Sequence, residues 1–110
     1  MGYMSELMDR ARHRISVGDY HRMADAGVFG HQDRVELIEG EVFDMAPIGS
    51  QHAHVVNQLV RLFTLAAGQD CLVSAQNPIR LGDRSEPQPD LALIKPGDYM
   101  ARLPGPSDVV

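Results

Sequence analysis

Cysteine is nearly absent from this chain, tryptophan is missing altogether, and long apolar runs do not occur. The single cysteine, Cys71, cannot close an internal disulfide, which argues for a reducing, cytoplasmic setting. No apolar run approaches the roughly 18 residues of a membrane span, so no membrane association is expected. Residues 1–14 hold no long apolar core and carry Glu6 and Asp9, so they do not read as a signal peptide. Residues 1–15 read instead as a flexible or weakly helical N-terminus. Positive charge is also scarce. Ten Lys and Arg stand against fifteen Asp and Glu, a formal net charge of −5. A protein that held DNA by its overall field would carry the opposite sign. The balance still leaves room for a nuclease whose local site uses acidic metal ligands. Also missing are a Gly-rich phosphate loop, a Cys/His zinc spacing, a nucleophile elbow, an internal repeat and a low-complexity tract.

What is present is an ordinary globular composition: 110 residues, 44% hydrophobic and 23% charged, enough for one domain at most. Ser16-Val17-Gly18-Asp19 has capping-box spacing, and Tyr20, Met23 and Ala24 follow at helical intervals. This predicts a short helix over residues 17–26, closed by Gly27. His21 and His31 read as solvated. Residues 35–46 carry two apolar segments around Glu39-Gly40, which predicts a hairpin. On its first strand Glu36 and Ile38 share one face, and Val35 and Leu37 the other. Glu39, Glu41 and Asp44 read as charged edges that deter aggregation. Glu36 stands apart, because it lies within the strand.

Pro47-Ile48-Gly49-Ser50 predicts a turn with Ser50 as N-cap. A helix over residues 51–67 follows, ending before Gly68. His52, Val56, Leu59, Phe63 and Ala66 form its apolar line, with Val55, Val60 and Leu62 beside it. That phase makes His52 a core histidine, less than about 30% exposed, and turns His54 to solvent. The competing reading points His52 at Asp90. Residues 71–76 predict a strand broken by Asn77-Pro78. Residues 79–81 continue extended, and Gly82 to Glu86 read as a surface loop.

The stretch Glu86-Pro87-Gln88-Pro89-Asp90-Leu91-Ala92-Leu93-Ile94 organises the rest. Proline is tolerated at the first residue of a strand, and a short apolar run follows. Asp90 therefore enters a sheet from its edge, where a carboxylate reaches water. It is either a strand-capping Asp in a turn or a metal ligand. Asp90, Ala92 and Ile94 share a face, so Lys95 falls on the opposite one. Residues 98–107 read as a loop with Pro104 and Pro106, and Asp108-Val109-Val110 opens a further β-segment.

Three stretches in this order, Val35-Glu36-Leu37-Ile38-Glu39-Gly40-Glu41, Pro47-Ile48-Gly49-Ser50-Gln51-His52 and Pro89-Asp90-Leu91-Ala92, resemble the Uma-type family of restriction-endonuclease-like proteins. These are small bacterial proteins of the PD-(D/E)xK nuclease superfamily. The resemblance runs over residues 16–110. It implies an α/β (α+β) fold, a mixed sheet with a long packing helix, and metal ligands on two adjacent central strands. It implies Asp90 as the first acidic ligand of Mg²⁺ or Mn²⁺, with Glu36 and His52 beside it as catalytic candidates. The second half-motif, an acid followed by a lysine, has no counterpart here. Its strand would start at Asp108-Val109-Val110.

The chain therefore reads as the N-terminal portion of a single longer domain, incomplete at its C-terminus and inactive by itself. The expected activity of the parent protein is metal-dependent hydrolysis of phosphodiester bonds in nucleic acid. The alternative is a non-catalytic binding or assembly module that keeps the fold. A strand from Asp90 with no neighbour would leave an open edge. A homodimer is expected to cover it, unless residues 98–110 fold back over that edge themselves.

Overall fold

The computed structural model describes residues 10–110 together with Gly2, Met4 and Glu6. The expectation of a frayed N-terminus falls partly on positions outside the described residues. Within them, Arg12 and Arg14 reach the hairpin, where both guanidinium groups pair with Glu41.

Helix α1 spans Val17–Asp25. Ser16 starts it as expected: its hydroxyl accepts the Asp19 N–H at 3.1 Å, satisfying one orphan donor of the first turn. The helix buries Val17 and Tyr20. Strands β1 (Val35–Ile38) and β2 (Glu41–Asp44) form the expected antiparallel hairpin, with Ile38 opposite Glu41 and Val35 opposite Asp44. Glu39 and Gly40 both take positive φ, 51° and 77°, the backbone of a type I′ turn. Alternation along β1 is as read from the sequence. Val35 and Leu37 face inward, and Leu37 is 0% exposed. These residues join Val17 and Tyr20 in one core, flanked by Ile15, Phe29 and Val42.

Helix α2 spans Ser50–Ala67 and packs on β3 (Leu72–Ala75) and β4 (Leu91–Ile94), which pair antiparallel. Gly49 rather than Ser50 is its N-cap, and no side chain caps it. The class is α+β with a long packing helix. Its strands are laid out as two antiparallel pairs, β1–β2 and β3–β4.

Segment 83–86 joins the two pairs and is not a surface loop throughout. Gly40 N–H donates to Arg84 O at 2.7 Å, and Glu39 N–H donates to Ser85 Oγ at 2.9 Å. Leu37 and Glu86 exchange both backbone hydrogen bonds, at 3.4 and 2.7 Å. The hairpin thus takes up the backbone polar groups of this segment, which lets Glu86 sink to 5% exposed.

The C-terminal end of the free edge expected on β4 is filled by the chain itself. Lys95 N–H donates to Asp108 O at 2.7 Å, Val110 N–H donates to Leu93 O at 2.9 Å, and Ile94 and Val109 form an antiparallel bridge. The prolines do not prevent this pairing, because Pro106 opens a short 3-10 turn, Pro106–Asp108, and leaves the amides beyond it free to bond. No helix among the described residues is long and apolar enough to cross a membrane.

Candidate functional site

Asp90 is the residue just before β4. The segment leading to it is nearly stripped of donors, because Pro87 and Pro89 have no N–H. Its side chains divide between two sides. Pro87, Pro89 and Leu91 line an apolar groove, whereas Glu86 and Gln88 line a separate, more polar cavity. Asp90 carries on to a third, smaller cavity of about 240 Å³ shared with His52, Arg34 and the turn Met45–Ile48.

His52 stands in the first turn of α2 and meets Asp90 there, with Nε2 and Oδ1 3.0 Å apart. An ionised carboxylate only accepts, so Nε2 carries the proton and donates it. The core-histidine expectation is corrected: the His52 side chain is 44% exposed. The reason is helix phase. Val56 is the buried residue of α2, and Ala53, Leu59, Val60 and Ala67 are half-buried around it. Val55, Leu62, Phe63 and Leu65 are exposed. The packed line therefore lies to one side of the line drawn through His52 and Phe63. His52 stands at its margin, level with the entry of β4. The competing reading, His52 turned to Asp90, is the arrangement found. His54 is exposed as expected.

Glu36 lies on the half-buried face of β1 and does not join that pair directly. Its Oε2 accepts the Gln88 N–H at 3.1 Å, two residues before Asp90. Arg34 lines the Asp90 cavity and donates Nη1–H to Ala46 O at 2.7 Å, which holds the turn preceding α2 against the hairpin. Lys95 is drawn to the opposite end of β4, where its backbone binds Asp108.

A second His–carboxylate pair was not legible in the sequence. His21 Nε2 and Glu86 Oε1 are 2.6 Å apart, so His21 is not merely solvated. Glu86 follows a Gly-Asp-Arg-Ser run with turn chemistry, and nothing local marks it for burial. Its burial depends on the backbone exchange with Leu37, some fifty residues away in the chain. Next to it, burial pushes the Tyr20 hydroxyl above its ordinary value, and the Glu86 and Glu36 charges act the same way. Tyr20 thus remains a protonated donor and gives its hydrogen to Val35 O at 3.2 Å.

The donor set can be tested against the divalent ion that the nuclease resemblance implies. Magnesium takes oxygen ligands in octahedral geometry and keeps waters where carboxylates are few. Asp90 offers one carboxylate, and its neighbour is an imidazole. No group of three or more His, Cys, Asp or Glu is close enough to hold an ion among the described residues. These side chains do not cage Mg²⁺ by themselves, and substrate phosphate and water would have to complete its shell.

Comparison with known proteins agrees with the motifs. No curated protein and no solved structure matches the chain. A family model described as "Putative restriction endonuclease" matches residues 17–109, from the first residue of α1 to the bridge that covers β4. That match takes in Glu36, His52 and Asp90, and the chain belongs to the Uma2 family.

Proposed function

We propose that this chain carries part of the site of a metal-dependent phosphodiester hydrolase acting on nucleic acid, with Asp90 as its metal-binding carboxylate. The observation that carries the proposal is the His52–Asp90 hydrogen bond at the mouth of a polar cavity that also holds Arg34. Membership of a restriction-endonuclease family supports it.

Each side chain has a part in this reading. Asp90 would hold Mg²⁺ or Mn²⁺ through the oxygen that His52 leaves free. The bound ion would lower the pKa of a coordinated water and offset charge on the phosphate. His52 fixes the Asp90 rotamer by its N–H. Arg34 supplies positive charge in the same cavity, which draws a phosphate toward Asp90 despite the net charge of −5. Glu36 belongs to the site through Gln88. The lone Cys71 fits a cytoplasmic setting. A homodimer is now supported by exposed Val55, Leu62 and Leu65 on α2 rather than by the β4 edge.

The second reading, a non-catalytic module with the same fold, is favoured by the lack of a three-ligand group at Asp90 among the described residues. One experiment separates the two. The complete domain is incubated with Mg²⁺ or Mn²⁺ and with duplex DNA, single-stranded DNA or RNA, beside its Asp90→Ala variant. The nuclease reading expects metal-dependent cleavage that Asp90→Ala abolishes while its thermal unfolding is unchanged. A folded protein that cleaves none of the substrates with either metal supports the module. An Asp90→Ala variant that cleaves at the unmodified rate overturns the role of Asp90.

A further inference from the structure

The segment that delivers Asp90 begins as a third strand beside β1 and then leaves it. In the hairpin, Glu36 opposes Phe43 and Ile38 opposes Glu41, and Met45 N–H donates to Arg34 O at 2.8 Å. Hydrogen-bonded pairs alternate along an antiparallel ladder, so Val35 and Leu37 turn their backbone groups away from β2. Leu37 spends both groups on Glu86. The next pair of a continuing ladder would be Val35 with Gln88.

That pair is replaced by two side chains. The Val35 carbonyl accepts from the Tyr20 hydroxyl at 3.2 Å, and the Gln88 N–H goes to Glu36 Oε2 at 3.1 Å. Because Pro87 and Pro89 carry no N–H, Gln88 has the only N–H between Glu86 and Asp90, and the segment's other backbone tie is the Pro87 carbonyl, which accepts the Ile79 N–H at 3.0 Å. Past it the chain belongs to the other sheet. Asp90 O accepts the Gln76 N–H at 3.2 Å, and Leu91 pairs with Ala75.

We infer that Glu36 is a positioning residue for Asp90: by capturing the Gln88 N–H it takes the segment off β1 and delivers the Asp90 carboxylate to His52. The inference rests on the reading of Asp90 as the functional carboxylate. It gives Glu36 a role through the backbone and not on a metal ion. The two roles differ in what they need. Capturing an N–H needs an acceptor oxygen, which a glutamine also has, whereas a metal ligand needs the carboxylate charge.

The test uses ¹⁵N-labelled protein and the variants Glu36→Gln, Glu36→Ala and Asp90→Ala. Amide exchange at Gln88 reports the clamp. The imidazole ¹⁵N and ¹H signals of His52 report the bond to Asp90. Broadening by Mn²⁺ reports ion binding at Asp90. Glu36→Ala is expected to speed Gln88 exchange about fivefold to tenfold, the scale of one hydrogen bond. It should also move the His52 ring signals to those of Asp90→Ala, which lacks the acceptor oxygen. Glu36→Gln is expected to leave exchange within about twofold of the unmodified chain and the His52 signals in place.

Three results would each overturn the inference: a Gln88 amide that exchanges like an unstructured peptide in the unmodified chain, His52 signals unmoved by Glu36→Ala, or a Glu36→Gln variant that behaves as Glu36→Ala. Should Glu36→Ala fail to fold, the unmodified chain and Glu36→Gln still decide it. Mn²⁺ broadening at Asp90 that survives Glu36→Gln supports the positioning role over a ligand role. If Mn²⁺ broadens nothing near Asp90 in any variant, the metal reading fails, and the Gln88 and His52 signals still judge the role of Glu36.

Discussion

His52 Nε2 and Asp90 Oδ1 stand 3.0 Å apart although 38 positions separate the two residues in the chain. The bond joins the start of α2 to the entry of β4, two elements that also pack on each other. Both side chains are well exposed. Exposed pairs of this kind contribute about 0–1 kcal/mol to stability, so the pair's importance lies in placing Asp90.

His52→Ala should therefore lower stability by about 1 kcal/mol at most. It should weaken any Asp90-dependent cleavage well beyond that. His54→Ala, one half-turn along α2 and exposed, should change neither. Urea unfolding and a cleavage assay on the same preparations check this. Equal loss of cleavage in both variants would count against the role of His52.

Leu37 holds the core under the hairpin, at 0% exposed, and its backbone also carries Glu86. Leu37→Ala should cost about 2–5 kcal/mol from lost burial and the cavity left behind. Leu62→Ala on the exposed face of α2 should stay within about 0.5 kcal/mol. Denaturant midpoints give both numbers.

Gly40 is required twice over. Its φ is 77°, and an added Cβ would sit 2.7 Å from Arg14 Cβ and 3.0 Å from the Ile15 nitrogen. Gly40→Ala should destabilise by more than about 1 kcal/mol. The hydrogen bond from Ile15 N–H to Gly40 O should loosen with it, seen as faster exchange at Ile15.

Acid should release the end of the chain. The Arg102 hydrogen bond holds the Asp108 carboxyl below its ordinary value of 3.8, and the Gly105 N–H adds to this. A carboxyl lowered on folding gives stability that is complete above its ordinary value and is lost as pH falls through the folded value. The segment that covers the β4 edge should thus detach only below pH 3.8. Methyl signals of Val109 and Val110 followed down the pH scale report this. Asp108→Asn should show no such acid step.

If α2 carries a homodimer interface, light scattering should give twice the monomer mass at high concentration. Leu65→Lys should return the monomer mass, because it sets a charge in the exposed apolar stripe of Val55, Leu62 and Leu65. Monomer mass at every concentration for the unmodified protein would rule the dimer out.

Some of this protein could be read from the chain alone. The Ser16 cap, the Glu39-Gly40 turn and the end of α2 at Gly68 rest on chemistry that acts within about four residues. The alternation that buries Val35 and Leu37 and the proline-marked entry of Asp90 are equally local. Other features were decided by tertiary structure. The phase of α2 depended on what β3 and β4 present to it, since its apolar residues cover more of its circumference than one face can bury. The burial of Glu86 and its bond to His21 required a strand partner about fifty positions away. The capture of Gln88 by Glu36 and of Asp90 by His52 joins side chains to groups that no sequence spacing relates. Such bonds depend on how separate elements pack, and that is why the sequence held the His52–Asp90 contact only as a competing reading and gave no sign that Glu36 would take the Gln88 N–H.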